Sequence, residues 1–447
     1  MTRIWLMTLL LLCTFCMGME NAKDKEWQLN PYLASAESLW AITPEVLLKD
    51  QLFKWNSAKQ DELRYSANES KVMLKLWACD VDECMVSFKD KKAIAITVLF
   101  FSRGDSGKID REVFFDVIDN ARNELESRWG KPQPQEVKRL GGDKKMNILQ
   151  WKNKTDNVQL IWSYNGKSSS RKDSSFVGEY VKLSISNNNE PPIAKKTTVA
   201  PGGRLDFREN VAKNKGDVLI ENIPMVDQGR KGYCVVATAE RVLRYYGQDV
   251  DQHVLAQASD TSNEGTQLKK MQDAMDRLDK KFHFRHRSLY LQKPANNNIL
   301  KKVYDAYNDI AKKKNKPRYS FEEFTRILME AEAAENAEMK LDYEVFMEVK
   351  KKIKRTEYRR FVGDIENYVN QGIPCIWSVM LGLVKEEGLP QLSGGHQRLI
   401  IGYNKDKNLI YYSDSWGSGH EKKSMSLDEA WTITLALDVY IPTAEKR

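Results

Sequence analysis

A segment with the composition of a linker divides this chain of 447 residues into two parts. Between Asn187 and Gly203 the sequence runs through three asparagines, two adjacent prolines, Lys-Lys-Thr-Thr and Pro-Gly-Gly. Such residues favour turns and extended linkers over the interior of helices or strands. We therefore predict one domain over residues 19–186, a linker over residues 187–203 and a second domain over residues 204–447.

The first 18 residues have the pattern of a secretory signal peptide. Arg3 precedes an apolar run from Ile4 to Phe15, and the small residue Gly18 follows. A short basic region, an apolar segment of about 7–15 residues and a small residue near the exit are typical of such a signal. A spanning helix needs about 20 apolar residues. We therefore expect cleavage near Gly18, export to a secreted or periplasmic/cell-envelope location, and no integral membrane domain beyond the signal segment.

Charge and motifs exclude several classes of ligand. The net charge of +8 is small for this length, and no basic stripe with interleaved aromatic residues is present, so we expect no nucleic-acid partner. The sequence has no Walker-type loop and no dinucleotide fingerprint, so we expect no cofactor. His283 and His286 are three residues apart but are expected to lack nearby cysteine or carboxylate partners, so we expect no metal site.

The first part predicts a sheet covered by one helix. Six short apolar runs predict strands, and residues 110–128 have apolar residues at helical spacing. The predicted apolar stripe of this helix comprises Val113, Phe114, Val117, Ile118, Ala121 and Leu125. This order of elements is typical of a compact α+β domain. Residues 20–186 contain no histidine, and we identify no catalytic group in them.

The second part predicts helices first and strands afterwards. A strand over residues 218–223 precedes a helix that begins at Cys234, and residues 249–370 form a helical middle. Within it, Ser320 and Glu323 have the spacing of a capping box at a helix start. From residue 373 onward the pattern predicts four strands. The second domain is therefore also α+β, with two unequal lobes.

Four cysteines remain after the signal peptide. Cys79 and Cys84 flank a short acidic turn between two predicted strands, and in an oxidising compartment they either form a local disulfide or stay reduced. Cys375 lies in an apolar run and is expected to be a buried free thiol.

Cys234 has different surroundings. It follows the segment Asp227-Gln228-Gly229-Arg230-Lys231-Gly232-Tyr233 and opens a predicted helix. Backbone N–H groups at a helix N-terminus favour negative charge and lower the pKa of a thiol there. The two glycines allow a tight turn that we expect to expose the sulfur. Gln228 supplies an amide N–H that can stabilise an oxyanion together with the backbone N–H of Cys234.

A histidine and an acid lie at the ends of two neighbouring predicted strands. His396 follows Gly394-Gly395, and Asp414 begins the sequence Asp414-Ser415-Trp416-Gly417 after the next strand. In such a hairpin the acid can fix the tautomer of the imidazole while the other ring nitrogen faces the thiol. The order Gln–Cys–His–Asp therefore indicates an activated thiol nucleophile.

These residues resemble those of papain-like cysteine peptidases. Gln228 followed by Cys234 at a helix start is similar to their oxyanion and nucleophile segment, and Gly395-His396 is similar to their histidine strand. Asp414-Ser415-Trp416-Gly417 resembles their Asn-Ser-Trp-Gly signature with Asp in place of Asn. The aspartate at this position resembles one branch in particular. This branch comprises the bacteriocin-processing, double-glycine-leader peptidases and their stand-alone relatives, which use aspartate there. The resemblance covers roughly residues 215–440.

The resemblance implies a fold and a role for each residue. The fold would be α+β, with a helical lobe and an antiparallel sheet lobe, behind a separate N-terminal α+β domain. Cys234 would be the nucleophile, His396 the base, Asp414 the group that orients it and Gln228 the oxyanion donor. Trp416 would shield the His–Asp pair from water.

This chain departs from the pattern in two respects. Val235-Val236 follow the cysteine where the bacteriocin-processing branch usually has Gly-Pro. His396 is 162 residues after Cys234 (396 minus 234), beyond the roughly 130–150 of papain-type chains. We interpret the excess as a helical insertion around residues 300–370.

The predicted activity is hydrolysis of peptide or other amide bonds by an exported cysteine peptidase, with a peptide or protein as substrate. Two alternatives use the same residues. A thiol acyltransferase, similar to transglutaminases, would pass the acyl group to an amine, and an inactive papain-like module would only bind.

Overall fold

A computed structural model describes residues 25–443 with gaps, and every structural statement below refers to the described residues. The gaps are residues 34–35, 50, 135–137, 142–143, 166–175, 190–197, 201–203, 230–231, 249, 262–264, 266–267, 280, 294–295, 334–340 and 391–392. The predicted signal peptide and part of the predicted linker lie outside the described residues.

The N-terminal part comprises twelve strands and four α-helices among the described residues. The strands are β1 (Lys25–Gln28), β2 (Lys54–Trp55), β3 (Glu62–Ser66), β4 (Val72–Leu76), β5 (Cys79–Asp80), β6 (Glu83–Lys89), β7 (Lys92–Ser102), β8 (Gln133–Pro134), β9 (Lys138–Gly141), β10 (Lys144–Lys152), β11 (Asp156–Asn165) and β12 (Val177–Asn187). The helices are α1 (Ala36–Trp40), α2 (Pro44–Leu48), α3 (Arg103–Ser106) and α4 (Arg111–Trp129), with a 3-10 turn at Asn30–Leu33.

Most of these strands form one antiparallel sheet, in the order β2-β3-β6-β7-β12-β11-β10-β8 with β9 beside β10. Strand β7 lies inside it because its apolar and β-branched residues are buried on both faces. Helix α4 packs on the sheet through Phe114, Ile118, Ala121 and Leu125. The predicted stripe was wrong at Val113, which is 50% exposed because it lies on the outer edge of that face.

Cys79 and Cys84 are both buried free thiols, so of the two alternatives the structure has the reduced one. Cys84 lies inside β6 between Tyr65 and Val98 of the neighbouring strands, where its side chain packs in the core. Burial raises the pKa of both thiols.

The C-terminal part contains the other strands and helices. The strands are β13 (Thr198–Ala200), β14 (Arg204–Asp206), β15 (Val211–Asn214), β16 (Asp217–Ile220), β17 (Phe284–Leu291), β18 (Cys375–Leu381), β19 (Gly394–Asn404), β20 (Leu409–Ser413), β21 (Lys423–Ser426) and β22 (Thr434–Pro442). The helices are α5 (Cys234–Tyr245), α6 (Gln252–Ser259), α7 (Leu268–Leu278), α8 (Asn297–Lys313), α9 (Phe321–Ala333), α10 (Tyr343–Ile353), α11 (Arg355–Val369) and α12 (Leu427–Ile433), with a 3-10 turn at Arg208–Asn210.

Strand β19 organises the second sheet. It pairs with β16, β18 and β20, and the sheet continues through β22 to β17 and from β20 to β21. Helices α5 and α11 pack against it, and the fully buried rings of Trp377 and Trp431 fill the core. Strand β17 and helix α12 were missed in the sequence, because β17 has a partly exposed, charged pattern and α12 is short.

The predicted helical insertion has its own small core. Helices α8, α9 and α10 pack on one another around Tyr307, Phe324 and Val345, and the predicted capping box joins Ser320 and Glu323 at the start of α9. Helix α11 belongs instead to the core of the second sheet through Phe361 and Ile365. Helix α11 is thus outside the core of α8 to α10, and the helical insertion around residues 300–370 stays a prediction.

Both parts are mixed α+β, as predicted. They meet along α6 and the loop before α5. Arg103 donates a hydrogen bond of 2.6 Å to the carbonyl oxygen of Thr261, and Ser163 donates one of 2.8 Å to Gln257. Lys182 pairs with Asp251 at the start of α6. The predicted division into two domains at residues 187–203 stays a prediction.

No helix among the described residues has the length and apolar character required to cross a membrane.

Gly104 in α3 lies against Tyr233 of the C-terminal part, and this contact requires a glycine. A Cβ atom there would lie 2.3 Å from Cζ of Tyr233, the residue before Cys234. We expect Gly104→Ala to lower the free energy of unfolding by about 1–3 kcal/mol, because the buried ring has to move. Urea unfolding at 25 °C measures this.

Gly363 is the matched control, because it is exposed on α11 and a Cβ there would meet nothing within 4 Å. Gly363→Ala should raise the free energy of unfolding by roughly 0.5–1 kcal/mol, the helical preference for alanine. A Gly104→Ala protein as stable as the wild type would contradict the packing of Tyr233 on α3.

Candidate active site

Helix α5 begins at Cys234, as the sequence predicts. Its N-cap residue, Tyr233, makes no side-chain cap hydrogen bond to the first N–H groups of the helix. The expectation of an exposed sulfur was wrong, since Cys234 is only 1% exposed. The turn before it packs against the N-terminal part through Tyr233, and Cys234 itself belongs to the core cluster of α5.

His396 and Asp414 are hydrogen-bonded. His396 lies near the start of β19, Asp414 follows β20, and these two strands are antiparallel neighbours. Nε2 of His396 is 2.7 Å from Oδ1 of Asp414, and both side chains are fully buried. The structure therefore brings together the two ends of the predicted hairpin.

The side chain of Cys234 is next to the imidazole of His396. Burial alone would lower the pKa of His396, but the hydrogen bond to Asp414 and the neighbouring Cys234 outweigh it, so the pKa is raised above 6.5. Asp414 occupies Nε2, which leaves Nδ1 as the ring nitrogen available to a thiol. The arrangement is that of a thiol–imidazole–carboxylate series.

Two arginines contact Asp414, and neither is among the predicted site residues. Arg398 contacts its carboxylate, and Arg241 contacts its backbone. Burial raises the pKa of Asp414, but Arg398 and His396 lower it further, so the carboxylate stays ionised. Nε of Arg398 donates to Oδ1 of Asp414 at 3.1 Å, while the same guanidinium pairs with Glu386. Arg398 is two residues after His396, and the alternation of a strand places both on one face.

Arg241 fixes the backbone of the same loop. It is buried in α5, seven residues after Cys234 and hence on the same helix face. Its guanidinium donates to the carbonyl oxygens of Asp414 and Pro224 and to Oγ of Ser413, at 2.7, 2.9 and 2.5 Å. The residue thus ties α5 to the loop that contains the acid.

Trp416 covers the imidazole. Its ring stacks on that of His396 with centroids 4.2 Å apart and planes 7° from parallel, and His420 contacts the tryptophan edge-on. The shielding of the His396–Asp414 pair from water, which the resemblance implied for Trp416, stays a prediction.

Gln228 is anchored to the loop that follows Asp414. Its backbone N–H donates to the carbonyl oxygen of Ser415 at 2.8 Å, and Oγ of Ser415 donates to Oε1 of Gln228 at 2.7 Å. Because Ser415 takes the amide oxygen, the NH₂ group is directed away from it. Gln228 is 1% exposed, so this orientation is held in a buried site.

The N-terminal part also contacts this loop. Arg64, buried in β3, lies 3.3 Å from Oδ2 of Asp227, the residue before Gln228. The same guanidinium pairs with Glu83 and Glu69 at 3.1 and 3.0 Å. Nothing in the local sequence marks Arg64, because its partners include a residue in the other half of the chain.

Among the described residues, no group of three or more histidine, cysteine or carboxylate side chains is suited to a metal ion. The expectation that His286 has no carboxylate neighbour was wrong. Its ring nitrogens are 2.8 Å from Asp276 and 3.2 Å from Asp438, residues brought close by the fold. Cys375 is a fully buried free thiol, as predicted.

Comparison with known proteins gives one family. The model of the Peptidase_C39 like family matches residues 330–439, which include His396 and Asp414 and do not include Cys234 or Gln228. No curated protein matches the sequence. One similar solved structure is the peptidase domain of Streptococcus ComA, and ComA is described as a bifunctional ABC transporter involved in quorum sensing. The two sequences are 15% identical, the match covers 50% of this chain and 100% of that chain, and the TM-score is 0.24. The family match confirms the predicted resemblance to this peptidase family over residues 330–439.

Proposed function

We propose that this protein is an exported cysteine peptidase that cleaves peptide or other amide bonds in a peptide or protein. The observation that carries the proposal is one buried imidazole, His396, placed between Cys234 and an ionised Asp414. The second part of the chain would have the papain-like arrangement, with α5 in the helical lobe and β19 in the sheet lobe. Export rests on the predicted signal peptide at residues 1–18.

In the proposed mechanism the proton of Cys234 moves to His396. Asp414 favours the imidazolium, and the N-terminus of α5 favours the thiolate. The sulfur attacks the carbonyl carbon, and the imidazolium then gives its proton to the leaving amine. Water, deprotonated by His396, hydrolyses the thioester and releases the acid.

The oxyanion formed in each attack would be stabilised by Gln228 and the backbone N–H of Cys234. The contacts of Gln228 with Ser415 fix the amide before substrate arrives. A donor that is already oriented stabilises the transition state without reorganisation, and one such donor is typically worth about 10²–10³ in kcat.

The proposed nucleophile can be tested with a thiol reagent. We expect iodoacetamide at pH 7 to alkylate Cys234 at least about ten times faster than Cys375, because an imidazole faces only the former thiol. His396→Ala should slow alkylation of Cys234 and leave that of Cys375 unchanged. Mass spectrometry of peptic peptides measures both rates in the same sample.

A peptide-library digest tests the activity itself. Wild type should cleave members of the library, and Cys234→Ala should cleave none. Equal alkylation rates of Cys234 and Cys375, together with identical library digests from wild type and Cys234→Ala, would favour the inactive binding module. Products linked to an added amine instead of free acids would favour the acyltransferase.

The pH profile should depend on Asp414. The active ion pair needs a protonated His396, so kcat/KM falls as pH rises through the pKa of this residue, which is raised above 6.5. Asp414→Asn removes the negative charge that raises this pKa, so the alkaline limb should move to lower pH. Asp406→Asn, in the exposed turn of the same hairpin, should leave the limb in place. An unmoved limb in Asp414→Asn would contradict the role of Asp414.

Substitution of Ser415 should lower kcat and leave the reactivity of the Cys234 thiol unchanged. Ser415→Ala removes the hydrogen bond to Oε1 of Gln228 and so weakens the orientation of the amide. We therefore expect kcat to fall about tenfold, less than the loss of a whole oxyanion donor. The alkylation rate of Cys234 should stay unchanged, because alkylation forms no oxyanion. Ser424→Ala, an exposed serine of β21, is the control. A parallel fall in alkylation and turnover would contradict this role and indicate a general disturbance of the site.

A further inference from the structure

A cleft of about 700 Å³ lies between the N-terminal and C-terminal parts and opens beside the proposed active site. The C-terminal part contributes Asp227 and Trp416 to its lining, and the N-terminal part contributes most of the remainder, including Trp55 and Ser66. Ligand sites in proteins commonly have volumes of about 300–1,000 Å³, so this cleft has room for several residues of a peptide.

Two residues that line the cleft adjoin the proposed catalytic groups. Asp227 directly precedes Gln228, the proposed oxyanion donor. Trp416 stacks on His396 at 4.2 Å while it also lines the cleft. A chain bound in the cleft would therefore lie next to both the oxyanion loop and the base.

The position of His396 indicates which end of a substrate the cleft receives. In the proposed mechanism His396 protonates the leaving amine, so the residues after the scissile bond must pass the imidazole. Trp416 is the ring that covers this imidazole, and the cleft begins there. A leaving group beside this imidazole would therefore also lie near Trp416 and the start of the cleft.

The lining suits a peptide with an apolar side chain. Trp55 and Trp416 are both half-buried and offer aromatic surface from the two parts of the chain. Asn56 and Ser66 are 4% and 5% exposed, line the cleft, and have Oδ1 and Oγ atoms without a hydrogen-bond partner. Buried polar atoms of this kind are suited to the N–H and C=O groups of a bound backbone.

Charge adds little selectivity to this surface. Lys54, Lys71 and Arg64 line the cleft together with the carboxylates of Glu69 and Asp227, so positive and negative groups nearly balance. Arg64 is moreover occupied by Glu69, Glu83 and Asp227. Aromatic contact and backbone hydrogen bonds remain as the means of recognition.

We propose that this cleft binds the residues that follow the scissile bond, as an extended peptide with an apolar or aromatic side chain near the cleavage site. The inference rests on the proposed peptidase function. It makes the N-terminal part a component of the substrate site, although this part contributes none of the proposed catalytic residues.

Two probes test the proposal. Both carry the same acyl-side sequence, chosen from the cleavages in the library digest. In the short probe this sequence is linked to aminomethylcoumarin, and in the long probe Ala-Phe-Ala-Ala and a quencher follow the scissile bond. The measured quantity is the ratio of kcat/KM for the long probe to that for the short probe.

In Trp55→Ala we expect this ratio to fall about tenfold, because one aromatic contact of about 1.4 kcal/mol is lost. In Ser66→Ala it should fall about threefold, the effect of one neutral hydrogen bond. Val113→Ala, at an exposed position of α4 outside the cleft, is the control and should leave the ratio unchanged.

Ser66→Ala removes a single oxygen atom, so it keeps the test valid if Trp55→Ala does not fold. A ratio that is the same in wild type, Trp55→Ala and Ser66→Ala overturns the cleft proposal while the peptidase stands. Cleavage of neither probe by wild type, with Cys234 alkylated no faster than Cys375, overturns the proposed function and the cleft proposal with it.

Discussion

The buried hydrogen bond between His396 and Asp414 is the interaction on which the site depends. A carboxylate out of contact with water is costly unless it is paired and hydrogen-bonded. Arg398 and His396 meet this requirement at Oδ1 of Asp414, and two further neighbours hold the surroundings of the pair. Arg398 supplies a positive charge beside the carboxylate. Arg241 donates a hydrogen bond to the backbone carbonyl of Asp414, and the ring of Trp416 stacks on one face of the imidazole. The polar pair is thus built into the core that joins β19, β20 and α5.

The residues of the candidate site could be predicted because each is marked by its local sequence. Cys234 stands where helical spacing begins, and His396 and Asp414 stand at the ends of two strands that a short turn joins. A hairpin brings its ends together whatever the remainder of the fold does, so this part of the geometry needed no knowledge of distant contacts. The apolar periodicities of β7, α4 and α5 predicted those elements for the same reason.

Features that depend on distant residues could not be predicted. Cys234 is buried in the core of the C-terminal part, and Tyr233 beside it packs on Gly104, 129 residues earlier (233 minus 104). His286 contacts Asp438 because β17 pairs with β22, and β17 itself has no apolar alternation. Arg64 contacts Asp227 across the two parts of the chain. In each case the physical cause is tertiary packing, which leaves no periodic pattern in the sequence.

The long separation between Cys234 and His396 does not disturb the proposed site, because the additional residues fold on themselves. Helices α8 to α10 bury their apolar faces around Tyr307 and Phe324 in a separate small core. The chain then returns through α11, which packs in the main core, and enters β18 beside β19. Since β18 sets the register of His396 opposite Val379, the position of the imidazole is determined by strand pairing and not by the length of the insertion. The segment between β17 and α11 could therefore change in size while the thiol, imidazole and carboxylate keep their relative positions.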